Sequence, residues 1–574
     1  MKLNKVMAFI VVAFLVFGIY TGGNTKMESS MALQTSKIVK KIMVNFSEPA
    51  FKNESIEIKG CNAMLHAAGM PVLPEYRMVL KFPFGTRIKS IKCRVGDVEK
   101  IELDERLSTT PFPMAINNGS IIRYDVKQDV FPDSWISYRI GAGLDGENRT
   151  IFLPIHLYPA RYISDKNEIE FASSISVEIE YTVSYISESN MYDMIIITPS
   201  EFESEASRLA EHKNEEGIKT KVVTLDYIYT HYYGDEPEKI KHFLKDEIER
   251  DGIKYALLVG DIQHLPSRKV YSFVWGSGMY SDYYYADIYD ANASFCSWDS
   301  NGNGKYGEVG DNADKVDLYA DLYVGRLACY DENELKTVVD KIINYENSEK
   351  PWFNRLILMG GDTFPKWNDI AEGEIVNEFV ANARQDFEHI RIQTSLHNFL
   401  PWEINRIWNE GSGFICYSGH GFEYGFGTYP KNSKWMIAYY TPYLLMLKNE
   451  EKLPVVFFDA CLTAKLDYHM FGNPHIPCFA WCLVKKANGG AIATIGATES
   501  ATTSVTEDGP VGQAGYLDLH FFMAYRHGTT PSKMLVKAKH DYLNDIASGK
   551  ADGDLYKMTL EQFILLGDPS LQLP

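Results

Sequence analysis

Cysteine is sparse and badly spaced for binding a metal. Eight thiols occur in 574 residues, at positions 61, 93, 296, 329, 416, 461, 478 and 482, and no two form a CxxC pair. This excludes a zinc-ribbon scaffold and a fold framed by disulfides. The sequence leaves a Cys61–Cys93 bridge open, and reads Cys478 and Cys482, four apart in an expected helix, as core. Positive charge is also short, with 57 Lys and Arg against 76 Asp and Glu and a net charge of −19. A nucleic-acid partner is disfavoured, since phosphate binding needs a basic surface. The same balance suits a soluble exported protein and would suit calcium. Long apolar runs are missing after the first residues: nothing later reaches the roughly 20 residues of a spanning helix. There is no fixed-period repeat and no low-complexity tract.

What remains is ordinary globular composition, 45% hydrophobic and 23% charged, in a chain long enough for several domains. Lys2 and Lys5 precede the apolar run Met7–Tyr20 and the small, polar Thr21–Asn24. That order reads as a signal peptide over residues 1–23, and predicts a secreted or cell-surface protein with no stable membrane span after its removal. Sequons at Asn45, Asn53, Asn118, Asn148 and Asn292 permit glycosylation outside the cytosol. Residues 37–184 hold short alternating runs such as SIEIKG and SISVEIEYTV between Pro, Gly and Asn, which predict an all-β, sandwich-like domain. From Tyr192 the pattern changes to α/β. MIIITP, KTKVVTLD, YALLVGD and DLYVGRLA alternate with helical stretches 201–216, 239–250 and 332–347, and this predicts βαβ units on a parallel sheet over 192–350. A second α/β unit, 351–574, contains RLILMGGD, helix 372–385, GGAIATIGAT and two later helices, and closes on FILLGDPSLQLP. The run Tyr283-Tyr284-Tyr285 reads as strand and core.

Two apolar runs in the second unit are too short for helices and rich in β-formers. Phe414–Tyr417 ends in Ser418-Gly419-His420-Gly421, and Val455–Phe458 ends in Asp459-Ala460-Cys461, with a polar and aromatic connector between them. Both predict buried strands whose carboxyl ends would meet at one sheet edge, where open α/β sheets hold their chemistry. A thiol needs a base to become a nucleophile, and imidazole can take its proton and later protonate the leaving amine. His420 and Cys461 are therefore the candidate base and nucleophile. The Gly421 and Cys461 amides are candidates for an oxyanion hole. Alternation puts Asp459 on the side of the thiol. Cys416 lies mid-strand and reads as core.

The Ser-Gly-His-Gly and Asp-Ala-Cys pair resembles the His-Gly and Ala-Cys signature of caspase-like cysteine peptidases. Within that clan the chain is similar to the gingipain family. The likeness rests on MIIITPSEF with HKNEEGIKTKVVTL, YALLVGD, DLYADLYVGRLA and the terminal LLGDPSLQL, all in the family's order. Upstream, AGMPVLPEYRMVLKFPFGTRIKSIKC and YPARY resemble the prodomain of such enzymes. The resemblance implies a caspase-like catalytic region of two parallel-sheet α/β subdomains behind an inhibitory, zymogen-type N-terminal domain, and cleavage of protein or peptide substrates. It implies catalytic roles for His420 and Cys461, and an acid that orients the histidine at Asp362. It also implies an acidic residue that reads the substrate side chain, for which Glu372 and Glu374 are candidates. The family's pocket tryptophan is replaced near Thr502–Thr503, which makes Thr503 a candidate lining residue and leaves a preference for basic substrates open.

DSNGNGKYGEVGD, residues 299–311, alternates oxygen ligands at Asp299, Asn301 and Asn303, with Gly304 where a calcium loop turns. Its twelfth position is Gly310, so Glu308, Asp311 or Asp317 would complete the shell. The GxGxxG inside it follows no strand and opens no helix, so it predicts no dinucleotide, and no organic cofactor is expected. The sequence thus predicts a secreted cysteine endopeptidase with a structural calcium. The rivals are a catalytically silent adhesion module on the same fold, and a caspase-like processing peptidase or transpeptidase of another family.

Overall fold

Runs of five or six β-branched and aromatic residues bury both faces only inside a sheet covered by helices on each side, and that is how the second part of this chain folds. The computed structural model describes residues 37–116, 119–122, 129–184, 190–271, 278–309, 313–365, 370–546 and 555–574. The expected signal peptide, Asn118, Gly310, Asp311 and most of the 184–192 junction lie outside them. The strands used below are β1 (Met114–Ala115), β2 (Met194–Thr198), β3 (Thr220–Thr224), β4 (Tyr255–Val259), β5 (Tyr323–Leu327), β6 (Arg355–Gly360) and β7 (Glu388–Gln393). They continue with β8 (Phe414–Ser418), β9 (His420–Phe422), β10 (Gly425–Thr428), β11 (Ile437–Tyr440), β12 (Val455–Asp459), β13 (Ala493–Ala497), β14 (Thr502–Thr506) and β15 (Phe563–Leu566).

Ten of these form one sheet in the order β3-β2-β4-β5-β15-β13-β12-β8-β6-β7. All neighbours run parallel except β13 and β15. The two α/β stretches thus share a sheet, and the closing FILL segment is the strand between them. Helices Glu203–Glu215, Glu236–Asp251, Glu332–Asn347, Glu372–Ala383, Gln513–Ala524 and Pro531–Asp545 fall where the apolar periodicity predicts. Two start on an aspartate, Asp235 or Asp331, whose side chain accepts the N–H three residues on.

Residues 37–182 are strand-rich and antiparallel. The strand Ser174–Thr182 lies between Lys37–Asn45 and Arg87–Val95, burying Ile175, Val177 and Ile179 and turning Ser176, Glu178 and Glu180 outward. A four-stranded, a five-stranded and a two-stranded sheet also lie in this region. It bonds directly to the α/β part: the Ala142 N–H donates to Asp317 Oδ2 at 2.9 Å, and Arg149 donates to the carbonyls of Ile253 and Asp321.

One expectation is corrected, and two points the sequence leaves open are filled in. The connector after Gly421 is not loop throughout: β9, β10 and β11 make a small antiparallel sheet. Tyr283–Tyr285 is buried core, but as a 3-10 turn, Asp282–Tyr285, rather than a strand. No disulfide joins Cys61 to Cys93.

Candidate active site

After β6 the chain passes outward to β7 and then returns to β8 on the other side of β6. This reversal is the kind of switch point at whose carboxyl ends open α/β sheets bind ligands. β8 and β12 pair in parallel with Ser418 opposite Asp459. His420 and Cys461, each two residues further on, therefore leave the edge at matching heights. Gly421 packs against the Cys461 backbone so closely that a Cβ there would collide with its carbonyl. Gly419 has φ of 157°, and its N–H donates to the Asp459 carbonyl at 3.1 Å, which seats the turn into β9 on the end of β12.

The imidazole is buried. Its Nε2 lies 2.9 Å from the Thr363 carbonyl, so Nε2 carries the proton and Nδ1 is the nitrogen left as a base. The Phe364 and Tyr429 rings stand edge-on to it, with centroids at 6.4 and 5.5 Å. Burial pushes its pKa below the ordinary histidine value, against a smaller opposing effect of the Thr363 bond. It is therefore neutral near pH 7, as a base must be. Cys461 is buried beside Ala501, whose N–H donates to Sγ at 3.1 Å. Behind the pair, Ser418 Oγ donates to Asp459 Oδ2 at 2.7 Å, and burial raises the Asp459 carboxyl to about 7.

The remaining expected residues fall as follows. Asp362 is one residue before the carbonyl that holds His420; its own carboxyl makes no hydrogen bond to the ring among the described residues. Its backbone pairs with Tyr429, and burial, with the nearby Glu372 carboxylate, raises it to about 7. Glu372 is buried, and its Oε2 accepts the N–H groups of Thr363 at 3.0 Å and Phe364 at 3.3 Å. Glu374 turns away to Thr394 Oγ1 at 3.0 Å and the Ser395 N–H at 2.9 Å. Both carboxylates thus have partners within the fold. Thr503 lies on β14, opposite Met114 of β1. Sequence reading missed Thr363 and Ala501, which act through backbone atoms that no side-chain pattern reveals.

Away from the dyad, the 299–308 loop closes on itself. Asp299 accepts the N–H groups of Asn303 and Gly304, each at 2.9 Å, and Gly304 has φ of +78°. The Asn301 and Asn303 amides converge on Glu308 Oε2. The Asn301 and Asn303 side-chain oxygens in turn accept the N–H groups of Asn303 and Lys305, so the loop is held by its own hydrogen bonds. Asp317 does not join it, since its two oxygens accept the Tyr319 and Ala142 N–H groups.

The sequence pattern of peptidase family C25 matches residues 187–574. The chain belongs to peptidase family C25. Gingipain R2 of Porphyromonas gingivalis (strain ATCC BAA-308 / W83) is 25% identical over 394 residues, covering 66% of this chain and 45% of that protein. Lys-gingipain W83 of Porphyromonas gingivalis is 24% identical over 192 residues, covering 32% and 10%. The chain thus spans less than half the length of these C25 relatives. Among solved structures, the complex of Porphyromonas gingivalis RgpB pro- and mature domains superposes with TM-score 0.50 at 22% identity, covering 66% of this chain and 79% of that one. The crystal structure of the Arg specific cysteine proteinase gingipain R superposes with the same score at 21% identity, covering 68% and 80%. At that identity the likeness shows the caspase-like fold of this C25 member.

Proposed function

We propose that this protein is a secreted cysteine endopeptidase. Cys461 attacks the scissile carbonyl, and His420 takes the thiol proton through Nδ1. The C–N bond breaks as His420 returns that proton to the leaving amine, and water hydrolyses the thioester with His420 again as base. The amides of Gly421 and Cys461 hold the oxyanion. Membership of C25 supports this reading, and the observation that carries it is the pairing of β8 with β12, with a neutral buried imidazole and a thiol at equal heights past their ends.

The N-terminal region serves as an inhibitory prodomain. Its strand β1 runs antiparallel on β14, and the Ile116 N–H donates at 3.0 Å to the Ala501 carbonyl, next to the thiol. A substrate would add a strand to the same edge. Removal follows cleavage between Ser184 and Tyr192. Export is supported by the basic-then-apolar N-terminus; among the described residues no helix is long and apolar enough to cross a membrane. Calcium, held by Asp299, Asn301, Asn303 and Glu308, would tie the loop between Asp282–Tyr285 and β5. Asp362 is assigned a supporting role in the buried charge behind His420.

The test is labelling by a peptidyl thiol probe before and after limited proteolysis at the junction, with calcium present. Labelling is expected to be slow in the uncleaved chain and fast after cleavage, to vanish in Cys461→Ala and to slow strongly in His420→Ala. A processed chain that never labels overturns the peptidase reading, and equal labelling of His420→Ala overturns the base assignment.

A further inference from the structure

The two faces of the small sheet β9–β11 differ. On the inner face, Phe426 and Tyr439 are buried, and Tyr439 donates its hydroxyl to Asn405 Oδ1 at 2.8 Å. Phe426 packs on Phe458 and Phe479, with centroids at 5.9 and 5.6 Å. Alternation puts His420 and Phe422 together on the other face. There Phe422 pairs with Gly425, and Gly425 with Tyr440. A Cβ on Gly425 would lie 2.9 Å from Tyr440 Cδ1, so the missing side chain lets the rings lie flat across the strands. Tyr424, from the turn between β9 and β10, stacks on Phe422 at 5.8 Å and on Tyr440 at 5.7 Å. Tyr468, from the segment after Cys461, comes within 6.5 Å of Tyr424. Tyr424 is 39% exposed and Tyr440 38%. Among the described residues, none of the three phenol hydroxyls makes a hydrogen bond.

Two observations say which part of a ligand would meet this surface. First, Cys461 lies between Ala501 on one side and Gly421 on the other. The chain's own β1 runs, from Met114 opposite Thr503 to Ile116 beside Ala501, toward the thiol along β14. A peptide of that polarity lays its acyl-side residues on β14 and leaves past Gly421. Second, the histidine that protonates the leaving amine must look toward the leaving-group side. Phe422 shares its strand face two residues on, about 7 Å away, which is the span of two extended substrate residues.

We propose that Phe422, Tyr424, Tyr440 and Tyr468 form the subsite for the substrate segment that follows the scissile bond, and that it selects an aromatic or large apolar residue there. The inference rests on the peptidase reading. The rings supply flat apolar area and T-shaped or stacked contacts, and their hydroxyls supply donors and acceptors for the departing peptide's backbone. The structural alternative is an aromatic pair that only shields Gly425, which would leave substrate choice untouched.

The experiment uses the full chain after cleavage at the 184–192 junction. Internally quenched peptides that differ only in Phe or Gly at the second position after the bond are compared with aminocoumarin amides, which carry no residue beyond it. The expected result is a Phe-to-Gly ratio of kcat/KM of about tenfold, in keeping with one stacked aromatic pair. Tyr440→Ala should reduce that ratio to near one, and Tyr440→Phe should keep it. Because the ratio is internal to each protein, loss of folded enzyme cannot imitate the effect. Hydrolysis of the amides with a ratio near one in the parent overturns the subsite while the peptidase reading stands. So does a ratio that survives in both Tyr440→Ala and Tyr424→Ala. Hydrolysis of neither substrate, without thiol labelling, overturns both.

Discussion

Glu372 reaches His420 through a single peptide unit. Its carboxylate accepts the Phe364 N–H at 3.3 Å, and the Thr363 carbonyl of that same peptide unit accepts from the imidazole, while a second bond from the Thr363 N–H holds the carboxylate in place. A negative charge at one end of that unit polarises it and fixes the ring's tautomer from the other. Glu372→Ala should lower kcat about tenfold or more, with KM little changed, since hydrogen bonds to a charged group contribute about 1.5–3 kcal/mol. Glu372→Gln keeps an acceptor oxygen and should restore most of the rate. The pH profile separates positioning from general damage. Burial lowers the His420 pKa, so the parent's acid limb should fall below the ordinary histidine value, and in Glu372→Ala a loosened, wetter site should move it back up. Asp459 gives a stability prediction with a definite sign. Burial raises its carboxyl to about 7, against the partial relief of Ser418. A raised carboxyl binds its proton more tightly in the fold than in the unfolded chain. The fold is therefore unpenalised below about pH 4 and loses stability as pH rises through 7. Asp459→Asn should raise the thermal midpoint at pH 8 and leave it nearly unchanged at pH 4. An equal shift at both would remove the buried charge as the cause.

Among the described residues, β1 is bonded to the residue that flanks the thiol. Only two residues long, it pairs with β14, and Ile116 adds its N–H to Ala501, the residue whose own N–H meets the Cys461 sulfur. Ile116→Pro removes that donor. In the uncleaved chain it should speed thiol labelling of Cys461 about tenfold, as expected for one lost hydrogen bond and a displaced strand edge. An unchanged rate would mean that β1 does not cover the site. None of this was legible in the sequence. TPFPMAI carries two prolines and no alternation, and TTSVT is short and polar, so neither reads as a strand until the other is present. The same holds for β9–β11, where GFEYGFG looks like a loop because its glycines sit opposite aromatic rings that supply the missing side chains. Strands buried on both faces were legible, because β2, β4, β8 and β12 are continuous apolar runs. His420 and Cys461 were legible for the same reason: each ends such a run. Their supports were not, because Thr363 and Ala501 contribute only backbone.

At the scale of the molecule, β15 is what makes the two α/β stretches one body. It is parallel to β5 on one side and antiparallel to β13 on the other, so it joins a strand of the first α/β stretch to a strand of the second. A buried charge cluster anchors it. Lys213, on helix Glu203–Glu215, pairs at 2.6 Å with Glu346, on helix Glu332–Asn347, and also with Asp568, just past β15. Burial alone would lower the lysine's pKa, but the two carboxylates outweigh it and hold it above the ordinary value. Every member of the cluster lies more than a hundred residues from Cys461 in sequence, yet it fixes the strand next to β13, which in turn borders β12. Lys213→Met leaves two carboxylates buried without their cation, and breaking such a pair costs about 3–5 kcal/mol. If β15 couples the halves, tryptophan fluorescence and far-ultraviolet dichroism should lose that stability together, in a single urea transition shifted to lower concentration. Separate transitions, with only one half destabilised, would mean that each half folds on its own and that the terminal strand merely docks between them. The coupled outcome would make the thiol's environment depend on β15, a strand about a hundred residues beyond Cys461 in sequence.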